Sequence, residues 1–275
     1  MKKLFLVFLL LCLSACGSSD APKDKLALIK EKGVITVATE PYFAPNEFID
    51  STRPEGEQII GSDIEFARYI AEKLGVELQI VPLEFDAVLS STAEGKYDLA
   101  ISALAYTPAR AEAMELSKGY YFSTDNAGYG LVIREEDRDL IKTVEDIADK
   151  TIIAQSGSLQ EALVNDQIPA YAEFKRVSAT PNAYLAVSEG KADVACAAVA
   201  NIELYISANP DCGLYVIPDF RFTMDEKYDG TRVGTQKGQT ALIEFVNQCI
   251  DELRSTGQID KWVEEYREVA KSLGV

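Results

Sequence analysis

The sequence predicts an α/β protein with two lobes and a parallel β-sheet. Short apolar segments with the character of strands alternate with segments whose apolar residues recur at helical spacing, beginning with a strand at 34–38 and a helix at 64–74. Such alternation is typical of sheets assembled from strand–helix–strand units. It restarts after residue 142, which indicates a second α/β lobe. A hydrophobic content of 47% with 26% charged residues favours packed domains over a disordered chain.

The other predicted elements follow in order along the chain. In the first lobe they are strands at 78–81 and 99–104 and a helix at 85–94. In the second lobe they are helices at 143–149, 158–165 and 180–189 and strands at 152–154 and 194–199. Two amphipathic helices, at 241–253 and 259–269, end the chain, and Trp262 is interpreted as a packing residue within them.

The N-terminal segment has the features of an export signal. Lys2 and Lys3 precede an apolar run at 4–13, which is short for a bilayer span. The sequence Leu13-Ser14-Ala15-Cys16 is similar to a bacterial lipobox, whose cysteine is lipidated. We therefore expect a signal peptide at 1–15, and a lipidated Cys16 with a flexible tether at 16–30. This predicts an extracytoplasmic protein that acyl chains hold at the bacterial cell membrane. The alternative is a plain secretory signal with an incidental cysteine.

Charge and composition exclude several classes of function. A formal net charge of −17 argues against binding to nucleic acid or anionic lipid. The chain has no histidine, the commonest metal ligand and general base, and no metal or cofactor is expected. Outside the signal and the lipobox three cysteines remain, so at least one should be free or paired between molecules. Cys196 is expected to be a small buried hydrophobe, and a Cys212–Cys249 disulfide is possible.

The segment around Arg110 indicates an anion-binding site. Thr107 and Pro108 fit the N-cap and first position of a helix that follows the strand at 99–104. Arg110 then lies in the first helical turn, where a cation gains nothing from the helix dipole. Its guanidinium matches a carboxylate in a bidentate way, so a small carboxylated ligand is the candidate. The alternative is a surface arginine paired with Glu112 or Glu115.

Several motifs in one order resemble a known family. The chain is similar to the extracytoplasmic solute-binding proteins of polar amino-acid ABC importers, family 3, over nearly all of its mature length. The motifs are Glu40-Pro41-Tyr42-Phe43-Ala44-Pro45, Gly61-Ser62-Asp63-Ile64-Glu65-Phe66-Ala67, Asp98 to Arg110 followed by Glu115-Leu116-Ser117 and Tyr120-Tyr121, Gly157-Ser158-Leu159-Gln160-Glu161, and Gly190-Lys191-Ala192-Asp193.

The resemblance implies a two-lobed fold of the periplasmic-binding-protein type II, with the ligand cleft between the lobes. One lobe would comprise 31–122 and 223–275 and the other 123–222. Two crossing strands, near 121–126 and 219–222, would form a hinge about which the lobes close.

The resemblance also implies a set of ligand-binding residues. Arg110 matches the arginine that binds the ligand carboxylate, helped by the backbone around Ser102 and Ala105. Backbone N–H groups of Ser158, Leu159 and Gln160, at a helix N-terminus, would meet the same carboxylate. In relatives, two aromatic residues sandwich the side chain of the ligand, and their positions match Phe43 and Phe85. An acid that reaches the far end of that side chain matches Glu40. Core packing is the alternative for the two phenylalanines, and a solvated carboxylate is the alternative for Glu40.

One departure from the family concerns the ammonium group of the ligand. Relatives generally place an acid at the position of Ala198, and many place a hydroxyl at that of Ala103. Because an ammonium buried without a counter-charge is unfavourable, either another group supplies the charge or the amine is absent, modified or elsewhere. Gln155 offers a neutral donor and acceptor, and Glu40 is the nearby acid that this reasoning identifies.

The predicted function is that of a monomeric binding lipoprotein. It would capture an amino acid or amino-acid-like carboxylate and deliver it to the permease and ATPase complex of an ABC importer. A surface adhesin or a sensor with the same fold is an alternative. An enzyme of the dehydratase type is disfavoured, because it needs a well-placed general acid in the cleft.

Overall fold

The computed structural model describes residues 24–123, 128–225 and 228–275. The predicted signal peptide and Cys16 lie outside these residues. The predicted tether extends too far: Lys25–Lys32 forms a helix, capped by Asp24 and ended by Gly33. This helix is anchored because the Lys25 ammonium donates to the carbonyls of Gly95 and Tyr97, at 2.9 and 2.7 Å.

Helices and strands alternate along most of the described chain. The strands are β1 (Val34–Thr39), β2 (Tyr42–Phe43), β3 (Glu47–Ile49), β4 (Ile59–Ile60), β5 (Glu77–Pro82), β6 (Leu99–Ala105), β7 (Met114–Leu116), β8 (Tyr129–Arg134), β9 (Thr151–Gln155), β10 (Glu173–Val177), β11 (Val194–Ala198), β12 (Leu214–Val216) and β13 (Thr231–Gln236). The helices are α1 (Lys25–Lys32), α2 (Ser62–Leu74), α3 (Phe85–Ala93), α4 (Pro108–Ala113), α5 (Leu159–Gln167), α6 (Thr180–Ser188), α7 (Val199–Ala208), α8 (Thr240–Thr256) and α9 (Gln258–Leu273).

The first lobe is built on a five-stranded sheet in the order β5-β1-β6-β13-β7. Strand β1 is parallel to β5 and β6, whereas β13 is antiparallel to β6 and β7. Helices α2 and α8 bury their apolar faces in its core, for example Phe66 and Val246, which are essentially inaccessible to solvent. A small sheet of β2, β3 and β4 extends this lobe beside the cleft.

The second lobe repeats this construction in the order β10-β9-β11-β8-β12. Strand β9 is parallel to β10 and β11, and β8 is antiparallel to β11 and β12. Both sheets are therefore mixed rather than purely parallel. A strand that is parallel to its neighbour needs a crossover connection, usually a helix. Strands β8 and β13 enter their sheets without one, so they lie antiparallel to their neighbours.

The two-lobed α/β fold that the sequence predicted is confirmed, with three local corrections. Residues 144–147 form a short 3₁₀ helix instead of an α-helix, and Thr143 and Asp146 form a capping box at its start. Residues 219–222 are not a regular strand. In the other predicted hinge strand Tyr121 makes an isolated bridge with Thr231, and 124–126 lie outside the described residues. Cys212 and Cys249 are free because they lie in different lobes, and Cys249 is buried in α8.

The predictions for Trp262 and Cys196 are confirmed. Trp262 is partly buried and packs against two core clusters, and Cys196 is buried in β11. In the part of the chain that the structure describes, no helix has the length and apolar character needed to cross a membrane.

Candidate functional site

A narrow cavity of about 30 Å³ lies between the lobes. It is bounded by segments that follow the carboxyl ends of three strands, β1, β6 and β9, the edge at which open α/β sheets usually bind ligands. Its lining combines residues from both lobes: Glu40, Phe43, Glu47, Phe85, Ser102, Ala103, Ala105, Arg110, Tyr129, Gln155, Ser158, Leu159 and Gln160. All the predicted ligand-binding residues except Ala198 are in this set.

Helix α4 positions Arg110 as the sequence indicates. The Thr107 hydroxyl accepts the Arg110 N–H at 3.1 Å, and Pro108 occupies the first turn. The helix begins at the end of β6, so the Arg110 side chain folds back onto that strand and donates from Nη1 to the Ala105 carbonyl at 2.8 Å. The guanidinium also stacks over the Phe85 ring, 5.2 Å from its centroid.

Arg110 is a buried cation without an acidic partner. Only 7% of Arg110 is exposed, and none of the ion pairs among the described residues includes it. Glu115, one of the two acids considered as its partner, lies beside Lys237 instead. The second hydrogen bond of Arg110 crosses the cleft, from Nη2 to the Gly157 carbonyl at 3.0 Å. Burial lowers its pKa to about 10, which still leaves the group charged at neutral pH. Such a site favours an anion, because a carboxylate would supply the missing counter-charge.

The second lobe brings a helix N-terminus to the same place. Ser158 caps α5: its hydroxyl accepts the Glu161 N–H at 3.1 Å and donates to the Gln155 carbonyl at 2.7 Å. The first-turn residues Leu159 and Gln160 line the cavity, and N–H groups in a first turn have no partner within the helix. The positive end of α5 therefore adds to the attraction that Arg110 exerts on an anion.

Glu40 gives the cavity a group that titrates near neutrality. It is almost fully buried, and burial raises the pKa of its carboxyl to about 7, against a smaller opposing effect of the Gln155 amide. Its Oε1 has no hydrogen-bond partner. Gln155 is itself held by Thr180 and by the Ser178 carbonyl. This part of the cavity is suited to a hydrogen-bond donor or a cation.

A second buried acid, Glu47, lies behind Ser102. The Ser102 hydroxyl accepts the Glu40 N–H at 3.0 Å and lies 3.1 Å from Glu47 Oε1. Burial and the neighbouring Asp63 raise the pKa of Glu47 well above its ordinary value. Burial also raises the pKa of Asp63, but the hydrogen bonds that it accepts from Tyr120 and from the Ala103 N–H oppose this effect. We assign the proton shared by this pair to Glu47, which is therefore neutral.

The Asp63 carboxylate fixes the strand that carries the site. Ala103 has a φ of +46°, a left-handed conformation that strains a residue with a side chain. Its N–H donates to Asp63 Oδ2 at 2.8 Å, and the Tyr120 hydroxyl donates to the same oxygen at 2.7 Å. The resulting irregularity in β6 places Ala103 at the cavity wall in the first lobe.

Ala198 lies outside the narrow cavity and lines a wider one of about 350 Å³. The two cavities meet at residues common to both linings, namely Phe43, Ala103, Ala105 and Tyr129. Ala198 is the N-cap residue of α7 and makes no capping hydrogen bond with its side chain. The wider cavity also has two acids, Asp225 and Asp229, in its lining.

Sequence reasoning missed Glu47, Asp63 and Tyr129, and it identified Glu40 as the nearby acid although Glu47 also lines the cavity. A signal existed for Asp63, which lies within a quoted motif, whereas Glu47 directly follows Pro45 and Asn46 and interrupts no apolar run. Tyr129 has no such signal. Desolvation raises its pKa to about 12, so its hydroxyl remains a donor. No cluster of side chains suited to a metal ion occurs among the described residues.

Comparisons with known proteins identify the family to which the chain belongs. The family model of the bacterial extracellular solute-binding proteins, family 3, matches residues 35–269. The chain is 27% identical to the arginine-binding extracellular protein ArtP of Bacillus subtilis, over 95% of this chain and 96% of ArtP. It is 26% identical to ABC transporter arginine-binding protein 1 of Escherichia coli, over 95% and 97%.

A similar solved structure is that of the amino acid ABC transporter substrate-binding protein AbpA of Streptococcus pneumoniae bound to L-arginine. It superposes with a TM-score of 0.78 at 32% sequence identity, covering 88% of this chain and 98% of that one. The fold is therefore that of amino-acid-binding proteins.

Proposed function

Because the chain belongs to the bacterial extracellular solute-binding proteins of family 3, we propose that it captures an amino acid or amino-acid-like carboxylate and delivers it to an ABC importer. The observation that carries the proposal is Arg110, a guanidinium buried between two lobes without an acidic partner. A binding protein gains affinity from such a group, because the ligand carboxylate replaces the lost hydration. The reported relatives are named as binding proteins, not enzymes.

The ligand would lie along the narrow cavity, which has to widen as the lobes part, because about 30 Å³ holds no more than a water or two. Its carboxylate would meet Arg110 and the first turn of α5, and its side chain would run between the rings of Phe43 and Phe85 toward Glu40 and Gln155. A side chain that carries a cation suits Glu40, because the positive charge would stabilise the ionised carboxyl. The arginine-binding relatives support this assignment.

Closure of the lobes would retain the ligand. Among the described residues, hydrogen bonds already link the lobes from Arg110 to the Gly157 carbonyl, from Asn201 to the Ala44 carbonyl at 2.6 Å, and from Asn209 to the Gly274 carbonyl at 3.2 Å. The hinge would lie where the chain passes between lobes, near 122–123 and 222–223. Closing and opening about it would present two shapes of the protein to a permease.

Replacement of Arg110 by Ala tests the carboxylate assignment. Ligands are first found by thermal shift against amino acids, dipeptides and keto acids, since a ligand specific to the native state raises the melting temperature. Calorimetry should then show that Arg110→Ala weakens binding by about 2–4 kcal/mol, because one partner of a buried charge pair is lost. The exposed Arg138→Ala is the matched control and should bind normally. Binding by Arg110→Ala within threefold of wild type would contradict the proposal.

The proposed localisation is an extracytoplasmic monomer anchored by a lipid on Cys16. Its test is Cys16→Ser, expressed as the full-length precursor in a bacterium that processes lipoproteins. The variant should leave the membrane fraction and appear in the soluble extracytoplasmic fraction, because a serine offers no thiol for acylation. If it still sediments with membranes after a high-salt wash, the anchor is elsewhere.

A further inference from the structure

The two cavities meet beside the group that would hold the ligand carboxylate. This step rests on the proposed function, in which that carboxylate binds Arg110. Arg110 donates to the carbonyl of Ala105, and Ala105 lines both cavities. In an α-amino acid, the carbon that carries the amine is bonded directly to the carboxylate. The amine would therefore lie near the junction of the cavities, where an ammonium needs acceptors because it has only donors.

Tyr129 supplies a side-chain acceptor at this junction. Four residues line both cavities, namely Phe43, Ala103, Ala105 and Tyr129, and of these only Tyr129 has a polar side chain. Its hydroxyl makes no hydrogen bond to any residue that the structure describes. Because burial raises the pKa of Tyr129 to about 12, the hydroxyl is protonated at neutral pH, and its oxygen can accept a hydrogen bond from an ammonium.

The strand pairing of the second lobe gives Tyr129 its place. Tyr129 lies directly opposite Ala198 in the antiparallel pairing of β8 with β11. Residues that are opposite in this way have their side chains on the same face of the sheet. Ala198, which lines the wider cavity, has only a methyl group, so it leaves room on that face for the larger side chain of Tyr129. The charge of Arg110 opposes the effect of burial on the pKa of Tyr129, so the two groups are close enough to interact.

The other neutral polar side chains of the narrow cavity are less suited to the amine. Ser102, Gln155, Ser158 and Gln160 line the narrow cavity but not the wider one. Hydrogen bonds within the protein already hold the first three of them. Of the side chains at the junction itself, the Tyr129 hydroxyl is therefore the one that can serve the amine.

The acids of the wider cavity act on this place from a distance. Asp225 and Asp229 line the wider cavity but not the narrow one, and Arg267 in the same lining offsets part of their charge. The charge of Asp229 nevertheless reaches the Tyr129 hydroxyl, whose pKa it raises. An ammonium bound at Tyr129 would gain from that negative charge in the same way.

We propose that the Tyr129 hydroxyl accepts a hydrogen bond from the α-ammonium group of the ligand. The carboxylate binds Arg110, the side chain occupies the narrow cavity, and the amine faces the junction. Tyr129 thereby favours amino acids over carboxylates that lack the amine. A hydrogen bond to a charged group contributes more than one between neutral groups, so loss of this acceptor reduces the affinity for an amino acid about tenfold.

Calorimetry with matched pairs of probes tests this inference. Each pair is an L-amino acid and the same carboxylic acid without its α-amino group, beginning with L-arginine and δ-guanidinovaleric acid. Tyr129→Phe removes only the hydroxyl oxygen, so it should weaken binding of the amino acid about tenfold and that of its partner by less than about threefold. Tyr171→Phe is the matched control and should change neither affinity, because Tyr171 is a partly buried tyrosine of the second lobe outside both cavities. Circular dichroism checks that both variants fold.

The outcomes separate this inference from the proposed function. If Tyr129→Phe weakens both members of a pair equally, the hydroxyl serves the carboxylate, and if it weakens neither, another acceptor holds the amine. Either result overturns the inference, whereas the proposed function stands as long as Arg110→Ala weakens both members. If the wild-type protein binds no L-amino acid, the inference fails, and the proposed function then stands only if another carboxylate binds through Arg110.

Discussion

Glu40 and Arg110 line the same cavity and have opposite charges when ionised. They differ in how fully each is ionised at neutral pH. Arg110 remains a cation at neutral pH, although burial lowers its pKa to about 10. Glu40 has a pKa of about 7, so it is about half ionised in the ligand-free protein at that pH. A cationic ligand group would therefore drive a proton from Glu40 on binding.

The raised pKa of Glu40 predicts how the stability of the ligand-free protein depends on pH. In the unfolded chain the carboxyl ionises near pH 4.5, whereas in the fold it ionises near 7. Between these pH values the folded protein binds more protons than the unfolded chain does. The contribution of Glu40 to the free energy of unfolding therefore falls as the pH rises, by up to about 3 kcal/mol. Glu40→Gln should therefore gain stability relative to wild type between pH 5 and pH 8.

Chemical denaturation at several pH values measures this difference. Glu55→Gln is the control, because it removes the same charge at an exposed position outside the cavity. A constant difference between Glu40→Gln and wild type from pH 5 to pH 8 would show that Glu40 is ionised in the fold throughout.

The small sheet of β2, β3 and β4 is the element on which one side of the site depends. It carries Phe43 and Glu47, and it packs against the start of α2 at Gly61. Gly61 has a φ of +135°, and a Cβ there would lie 2.0 Å from the Asn46 carbonyl oxygen. Because that oxygen belongs to the backbone, it cannot move aside without displacing the sheet.

Gly61→Ala should therefore destabilise the protein by about 3 kcal/mol. It should also weaken ligand binding, because Phe43 moves with the sheet. Gly33→Ala is the matched control: Gly33 has a φ of +75°, yet nothing lies within 4 Å of a Cβ placed there. Gly33→Ala should lower the free energy of unfolding by only about 1 kcal/mol, because its sole penalty is a side chain in the left-handed conformation. Equal denaturation midpoints for the two variants would contradict the close approach at Gly61.

The elements that the sequence predicted best are those whose pattern is local. The helix begun by Thr107 and Pro108 forms as expected, because a cap depends on residues within one turn. The proton shared by Glu47 and Asp63 could not be predicted in this way, since it depends on two segments that meet only in the folded lobe. The same holds for the left-handed Ala103, whose conformation Asp63 supports from another element.

Contacts between the lobes determine how far the whole molecule is closed before ligand binds. The Asn201 amide on α7 donates to the Ala44 carbonyl beside the small sheet, at 2.6 Å. A hydrogen bond of this kind stabilises the closed form by about 1 kcal/mol. A change of that size shifts the ratio of closed to open molecules about fivefold. Where closed molecules are the minority, the affinity for a ligand that binds only the closed form falls by the same factor.

Asn201→Ala should therefore open the ligand-free protein. Small-angle X-ray scattering should show a larger radius of gyration than for wild type, and saturating ligand should reduce the difference, because the ligand bridges both lobes through Arg110. Asn247→Ala is the matched control, since Asn247 accepts the Lys118 N–H at 2.9 Å within the first lobe. It loses a hydrogen bond of similar strength that does not cross the cleft, so its radius of gyration should equal that of wild type. If both variants scatter as wild type does, the Asn201 contact does not control closure, and the other contacts between the lobes, such as the hydrogen bond from Asn209 to the Gly274 carbonyl, are sufficient.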